Sequence, residues 1–253
     1  MLVDYHVHAL GHAHREHSLE ELIPFLDVAL KRNLQEIGFA DHDRYLDSLN
    51  FNLYKELQEL YPKINIRVGL EIDYYPGKLE EIKKIRTSHP FDYVIGSVHY
   101  IDEWMFDADK EKQRFEEWDI DELYTRYLSL VIEAANTGLF PLIGHLDLLK
   151  IFGNRPKKSI AETFNPYLRD LEKTGVVIEL NTNGWYKPIN ELYPAPELLE
   201  LCFQANLPIT LSSDAHHAEQ VGRDVDKALA IAKKAGYTKI ATFGNGKVNY
   251  INV

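Results

Sequence analysis

Seven times along the chain a short run rich in β-branched and aromatic residues is followed by a segment of helical period, and this alternation leaves few folds open. It is the pattern of a parallel sheet covered by helices, because successive parallel strands need a crossover between them, usually a helix. The spacing predicts strands over residues 2–6, 36–40, 64–70, 93–98, 142–145, 176–180 and 208–212. Helices are predicted over 19–32, 53–60, 79–87, 120–136, 160–173, 195–204 and 225–235. Ser18 with Glu21 has the form of a capping box, Gly138 follows the fourth helix and Gly236 ends the last. Residues 239–253 contain Gly244-Asn245-Gly246, the mark of a turn between two short terminal strands. No repeat, low-complexity tract or Pro/Gly/Ser-rich linker divides the chain. One α/β domain spanning 1–253, the usual size of a single barrel, is therefore expected.

Charge and composition narrow the partners. A net charge of −11 argues against non-specific attraction to a nucleic-acid backbone, which requires clustered Lys and Arg. It does not exclude a phosphorylated substrate, since bound divalent cations would cancel charge where the phosphate approaches. No apolar run nears the roughly 20 residues needed to cross a bilayer, and the segment after Met1 lacks the form of a secretion signal, so a cytoplasmic protein without a membrane partner is expected. Cys202 is the single cysteine, which rules out an intramolecular disulfide, and Leu199-Glu200-Leu201-Cys202-Phe203 reads as a helix core. The oligomeric state has no signature in the sequence.

Histidines and acids gather at the ends of the predicted strands. In a parallel barrel those ends converge, so residues distant in sequence become neighbours. The successive units offer His6 and His8; Asp41 and His42; Glu71 and Asp73; His99; His145 and Asp147; Asn181 and Asn183; and Asp214 and His216. All but the sixth contain a potential metal ligand. The i, i+2 spacing of His6 and His8 puts both imidazoles on one face of a strand, an arrangement suited to Zn, Fe or Mn. A carboxylate at Glu71, aimed into the barrel mouth, can bridge two metals. Spacing alone does not distinguish His12, His14 and His17 in the segment that follows.

Six motifs carry a resemblance: Asp4-Tyr5-His6-Val7-His8, Ala40-Asp41-His42, Gly69-Leu70-Glu71-Ile72-Asp73, Gly96-Ser97-Val98-His99-Tyr100, Gly144-His145-Leu146-Asp147 and Ser213-Asp214-Ala215-His216. In this order they resemble the PHP (polymerase and histidinol phosphatase) metallophosphoesterases. Glu179-Leu180-Asn181-Thr182-Asn183-Gly184, Lys187-Pro188 and Tyr193-Pro194 resemble the histidinol-phosphatase branch, although Tyr186 stands where that branch often has a basic residue. The resemblance implies a distorted (β/α)7 barrel and a site for two to three divalent ions, zinc, manganese or iron. It implies that His6, His8, Glu71 and Asp214 hold a first metal and that Glu71 bridges to a second held by His99 and His145. His14, His42 and His216 would hold a third, with His12 the alternative to His14.

The implied reaction is hydrolysis of a small phosphate monoester, L-histidinol phosphate in that branch, with Asp214 or His216 supplying the leaving group's proton and Glu71 anchoring the metals. Arg155, after the fifth predicted strand, is the candidate phosphate contact because a guanidinium binds two oxygens at once. Histidinol carries an ammonium and an imidazole, for which Asp43, Asp73, Tyr100 and Trp104 are the candidate contacts. The competing readings are action on another phosphate ester or a nucleotide end, and a metal-loaded module without catalysis.

Overall fold

The computed structural model describes residues 1–12 and 15–253. The predicted alternation is present: β1 (Leu2–Val7), α1 (Leu19–Lys31), β2 (Leu34–Phe39), α2 (Asn52–Leu60), β3 (Asn65–Val68), β4 (Glu71–Asp73), α3 (Leu79–Ser88) and β5 (Ile95–Ser97). A hairpin of β6 (Tyr100–Ile101) and β7 (Trp104–Met105) follows, then α4 (Ile120–Asn136), β8 (Leu142–Ile143), α5 (Ile160–Thr174), β9 (Val177–Asn181), α6 (Pro196–Gln204), β10 (Ile209–Ser212) and α7 (Val225–Ala235). The terminal strands β11 (Lys239–Gly244) and β12 (Lys247–Asn252) pair antiparallel around the predicted turn.

The parallel strands form two sheets, ordered β1-β2-β3 and β10-β9-β8-β5-β4. They meet along two seams. Where β10 ends, the Ala215 amide donates to the His6 carbonyl at 3.0 Å and the His8 amide to the Ala215 carbonyl at 2.8 Å. Where β3 gives way to β4, the Glu71 amide donates to the Asp41 carbonyl at 2.9 Å, and His42 and Glu71 form an isolated parallel bridge. β3 and β4 thus occupy one strand position, and seven positions make a distorted α/β barrel.

The expected single strand over 64–70, with Glu71 beyond its end, is broken in the structure, and Glu71 is the first residue of β4. The break falls at Gly69-Leu70. A Cβ on Gly69 would lie 2.5 Å from the buried Tyr93 ring, and one on Gly38 of β2 would lie 2.1 Å from the Tyr93 hydroxyl oxygen. Tyr93 fills the space that side chains at both positions would need, and its hydroxyl donates to the Tyr5 carbonyl at 2.6 Å. Glycine in a strand is the usual mark of such a close approach.

Helices pack outside through apolar stripes. In α4, Leu123, Tyr127, Leu130, Val131 and Ala134 are buried, the i, i+3, i+4 spacing of a single face. Ser159 and Glu162 form a complete capping box at α5, whereas at α1 the Ser18 side chain accepts from the Glu21 amide, one half of the predicted box. Cys202 is fully buried in α6, and burial pushes its thiol up, away from the thiolate chemistry of a nucleophile. No helix among the described residues is long and apolar enough to cross a membrane.

Candidate metal centre

Every strand position that ends in a predicted ligand delivers it to the same end of the barrel. β1 supplies His6, with His8 just past its end, and β4 supplies Glu71 directly. His42, His99, His145, Asp214 and His216 follow β2, β5, β8 and β10. Seven of these eight candidates line one cavity of about 100 Å³, and His6 closes beneath it against Glu71. His14 lies outside the described residues. His12 is described, and its ring centroid stands 4.3 Å from that of His216 and 5.4 Å from that of His42.

The spacing of the donor atoms decides what they are for. Glu71 Oε2 lies 3.3 Å from His6 Nε2 and 3.6 Å from His8 Nε2; Glu71 Oε1 lies 3.5 Å from His99 Nε2 and 3.3 Å from His145 Nε2. Asp214 Oδ1 is 3.3 Å from His8 Nε2. A charge-assisted hydrogen bond would sit at about 2.7–2.9 Å. Donors about 2.1 Å from a shared tetrahedral ion lie about 3.4 Å apart, the length of the tetrahedron's edge. The shorter contact, His42 Nδ1 to Glu71 Oε2 at 2.9 Å, has the length but not the geometry of a hydrogen bond. Moreover, His6 Nε2, His42 Nδ1 and Glu71 Oε2 are buried without a hydrogen-bond partner, a costly state unless something else satisfies them. Among the described residues three triads could hold an ion: His6, His8 and Glu71; His42, Glu71 and His99; and His8, His42 and His216. Imidazoles and carboxylates of this kind fit zinc, manganese or iron.

Two of these residues also hold costly backbone. His145 has φ 22° and Asp214 φ 50°, in the region that disfavours side chains with a Cβ. Such conformations persist where surrounding contacts over-determine them, and they cluster at functional sites.

A second ring of groups fixes the first. His6 Nδ1 lies 2.5 Å from Glu179 Oε1, and the same carboxylate accepts from the His145 amide at 2.7 Å and the Ser212 hydroxyl at 2.7 Å. His99 Nδ1 is paired with Asp73. These contacts hold each ring's other nitrogen toward the cavity, the usual carboxylate-histidine support of a metal ligand. Asp214 Oδ2 accepts from Asn181 and Asn183 Nδ2, each at 3.3 Å. Asp4, fully buried, accepts from the Ser213 and Gly222 amides at 2.9 and 2.7 Å and so ties β1 to the Asp214 loop.

The electrostatics follow from this packing. Burial alone would push the Glu71 carboxyl up, but His42, His6 and His99 hold it well below the usual carboxylate range. Burial would lower His6, yet Glu179 and Glu71 hold it up; burial opposes Asp73 and Glu71 at His99, which is raised to about 10. Burial and the neighbouring His216 push His8 down.

The predicted substrate contacts fare unevenly. Trp104 is buried, 2% exposed, with its ring 4.8 Å from Phe115, so it belongs to the core beneath the β6–β7 hairpin and not to the cavity wall. Asp73 is engaged by His99, and its other oxygen lies 3.5 Å from Arg44, which leaves it a ligand support and not a free acid. Asp43 and Tyr100 do not line the cavity; burial and then Asp73 raise the Asp43 carboxyl to about 7, and the Tyr100 ring packs, tilted by 40°, against Tyr75 at 5.1 Å. Arg155 is 46% exposed and held by Glu191 at 2.9 Å, outside the cavity wall.

The cations on the wall are Arg44 and Lys187, and the acid beyond the ligand set is Asp107, whose Oδ1 is buried without a partner. Sequence reading missed Arg44 and Asp107, because neither sits at a strand end. Glu179 is visible in the sequence only as part of a motif; a carboxylate inside the apolar run Val176-Val177-Ile178-Glu179-Leu180, on a strand that proves wholly buried, is the available signal. At the position of the departure from the branch pattern, the Arg223 guanidinium lies 3.3 Å from the Tyr186 ring centroid, bringing a cation there from another loop.

Comparison with known proteins agrees with this geometry. The model of the PHP domain family matches residues 4–183. The probable histidinol-phosphatase of Deinococcus radiodurans is 34% identical over 98% of both chains, and the histidinol-phosphatase of Lactococcus lactis is 31% identical over 98% of this chain and 96% of its own. The crystal structure of histidinol phosphate phosphatase from Lactococcus lactis, in complex with zinc, L-histidinol and phosphate, superposes with a TM-score of 0.80 at 27% identity over 98% of each chain.

Proposed function

The chain belongs to the PHP-domain family, and from that premise we propose that it hydrolyses L-histidinol phosphate to L-histidinol and inorganic phosphate, the phosphatase step of histidine biosynthesis. The observation that carries this reading is the double-sided Glu71 carboxylate, with imidazole nitrogens at coordination-edge spacing from each oxygen. It supports two to three divalent ions: one with His6, His8, Glu71 and Asp214; one with Glu71, His99 and His145; and one with His42, His216 and His14, His12 being the alternative. The family match and a continuous core from Val3 to Phe243 support one PHP phosphoesterase domain over residues 1–253.

Bound there, divalent metals supply Lewis acidity to the phosphoryl oxygens and bring the pKa of a water from 15.7 toward ~7. The chain's own residues do the rest. Lys187 and Arg44 draw the phosphate dianion to the cavity. Arg155 joins them by leaving Glu191, whose charge stays compensated by the buried Lys150 at 2.9 Å, so the exchange orphans no acid. Asp107 faces the cationic end of histidinol, with Asp43 and Tyr100 as its further contacts outside the cavity wall. His216, or Asp214 through a water that it holds as acceptor and that gives up the proton, serves the departing alkoxide.

A phosphate-release screen of metal-loaded protein tests the substrate. Histidinol phosphate should exceed sugar phosphates, nucleotides and a phosphodiester in kcat/KM by at least tenfold. A nucleotide or diester in first place would leave the metal site intact and overturn the substrate.

A further inference from the structure

Arg15 stands between β1 and α1, close to the candidate ligands, yet its donors go to backbone carbonyls. Nε donates to the Ala9 carbonyl at 2.9 Å, and Nη2 to those of His8 at 3.3 Å and His216 at 2.5 Å. Among the described residues no carboxylate lies within ion-pair distance of it. One guanidinium therefore ties the His8 loop to the His216 loop, which lies 201 residues along the chain from Arg15, each loop bearing a candidate ligand, with the His8 and His216 ring centroids 4.2 Å apart.

Gly11 independently reserves the space for this contact. A Cβ there would lie 2.2 Å from Arg15 Nη2 and 2.8 Å from the His216 carbonyl oxygen, and its φ of +52° already disfavours any other residue. The Asp41 carboxylate accepts from the Ala9 and Leu10 amides at 3.1 and 2.8 Å. The chain leaving β1 is thus held through its amides by Asp41 and through its carbonyls by Arg15. Only the cation also reaches the His216 loop.

We propose that Arg15, passing over Gly11, is a positioning residue that holds the His216 backbone onto that of His8, which β1 and Asp41 already fix, and thereby sets the geometry of the third metal position. The inference rests on the three-metal reading of the site. A planar guanidinium can reach two loops at once, which a single ammonium cannot. Outer groups of this kind typically govern metal affinity by ~10- to 100-fold.

The test is stepwise removal of zinc by a chromophoric chelator from wild type, Arg15→Ala, Arg15→Lys and Gly11→Ala, with backbone amide exchange of the metal-free proteins. In Arg15→Ala and Gly11→Ala, one of three equivalents should leave at ~10- to 100-fold lower chelator concentration while the other two hold. Arg15→Lys should fall between them and wild type. Exchange at residues 7–12 and 213–218 should accelerate in Arg15→Ala with the rest of the chain unchanged. Uniform weakening of all equivalents, or none, overturns the clasp. If Arg15→Ala fails to fold, Gly11→Ala and Arg15→Lys decide by the same criteria. If wild type holds two equivalents, the three-metal reading fails separately; local acceleration of exchange then upholds the clasp, and unchanged exchange refutes it.

Discussion

Replacing Glu71 by Gln removes one charge and almost no volume from the centre of the site. Glu71 is 1% exposed, and its two oxygens face five imidazoles: His6, His8 and His42 on one side, His99 and His145 on the other. At an effective dielectric of about 20, a unit charge roughly 4 Å from a dication is worth about 8 kcal/mol. The amide oxygen of Gln retains part of that interaction, while its NH2 turns a donor toward nitrogens that must present lone pairs. A net loss of about 4 kcal/mol, close to a thousandfold in affinity, is a conservative expectation. Because the carboxylate serves both sides, two equivalents should weaken together. Elemental analysis after gel filtration, chelator competition and phosphate release read the effect. Full metal content with normal turnover in Glu71→Gln would refute the bridging role; loss of a single equivalent would make Glu71 a ligand to one ion.

Other perturbations separate the remaining roles. Arg155→Ala should leave the metals in place yet lower kcat/KM by roughly 10- to 1000-fold and weaken inhibition by inorganic phosphate in parallel, the range for one or two charge-assisted hydrogen bonds. Unchanged inhibition would leave the phosphate to Lys187, Arg44 and the metals. Asp107→Asn should raise KM for histidinol phosphate about tenfold with little effect on a neutral phosphate monoester; equal losses on both would remove Asp107 from specificity. His17 accepts from the Asn50 amide at 2.9 Å and lies 3.1 Å from the Tyr54 hydroxyl, and burial lowers it from 6.5 to about 4. The unfolded chain therefore takes up a proton first. Stability conferred by neutral His17 is full above pH 6.5 and is lost as pH falls from about 6.5 through 4. Urea midpoints of the metal-free protein at pH 7 and 4.5 should differ less in His17→Gln than in wild type, and equal differences would refute the assignment.

What the sequence made legible follows from periodicity. Helices α4 and α7 have the predicted ends, because long amphipathic patterns bounded by Asp119 and Gly236 leave little choice. The fold class was equally accessible, since alternating strands and crossovers admit few topologies. The broken third strand was not, because it depends on Tyr93 lying over Gly38 and Gly69, a contact between distant segments. At the site, strand-end histidines announce themselves, and the candidate ligands among the described residues lie together. Side chains that reach the cavity from irregular segments, Asp107 and Arg44, carry no periodic signal. Trp104 misled because an aromatic residue near His99 suits a stacking platform as well as a core, and only packing against Phe115 separates the two.

The central claim, that this barrel hydrolyses histidinol phosphate through metals gathered around Glu71, is tested most directly by adding divalent metal in defined equivalents to stripped protein while following phosphate release from L-histidinol phosphate. The account predicts no turnover without metal, a steep rise between one and two equivalents as both faces of Glu71 fill, and a plateau by three. Release by the metal-free protein, or none from the fully loaded one, would contradict it.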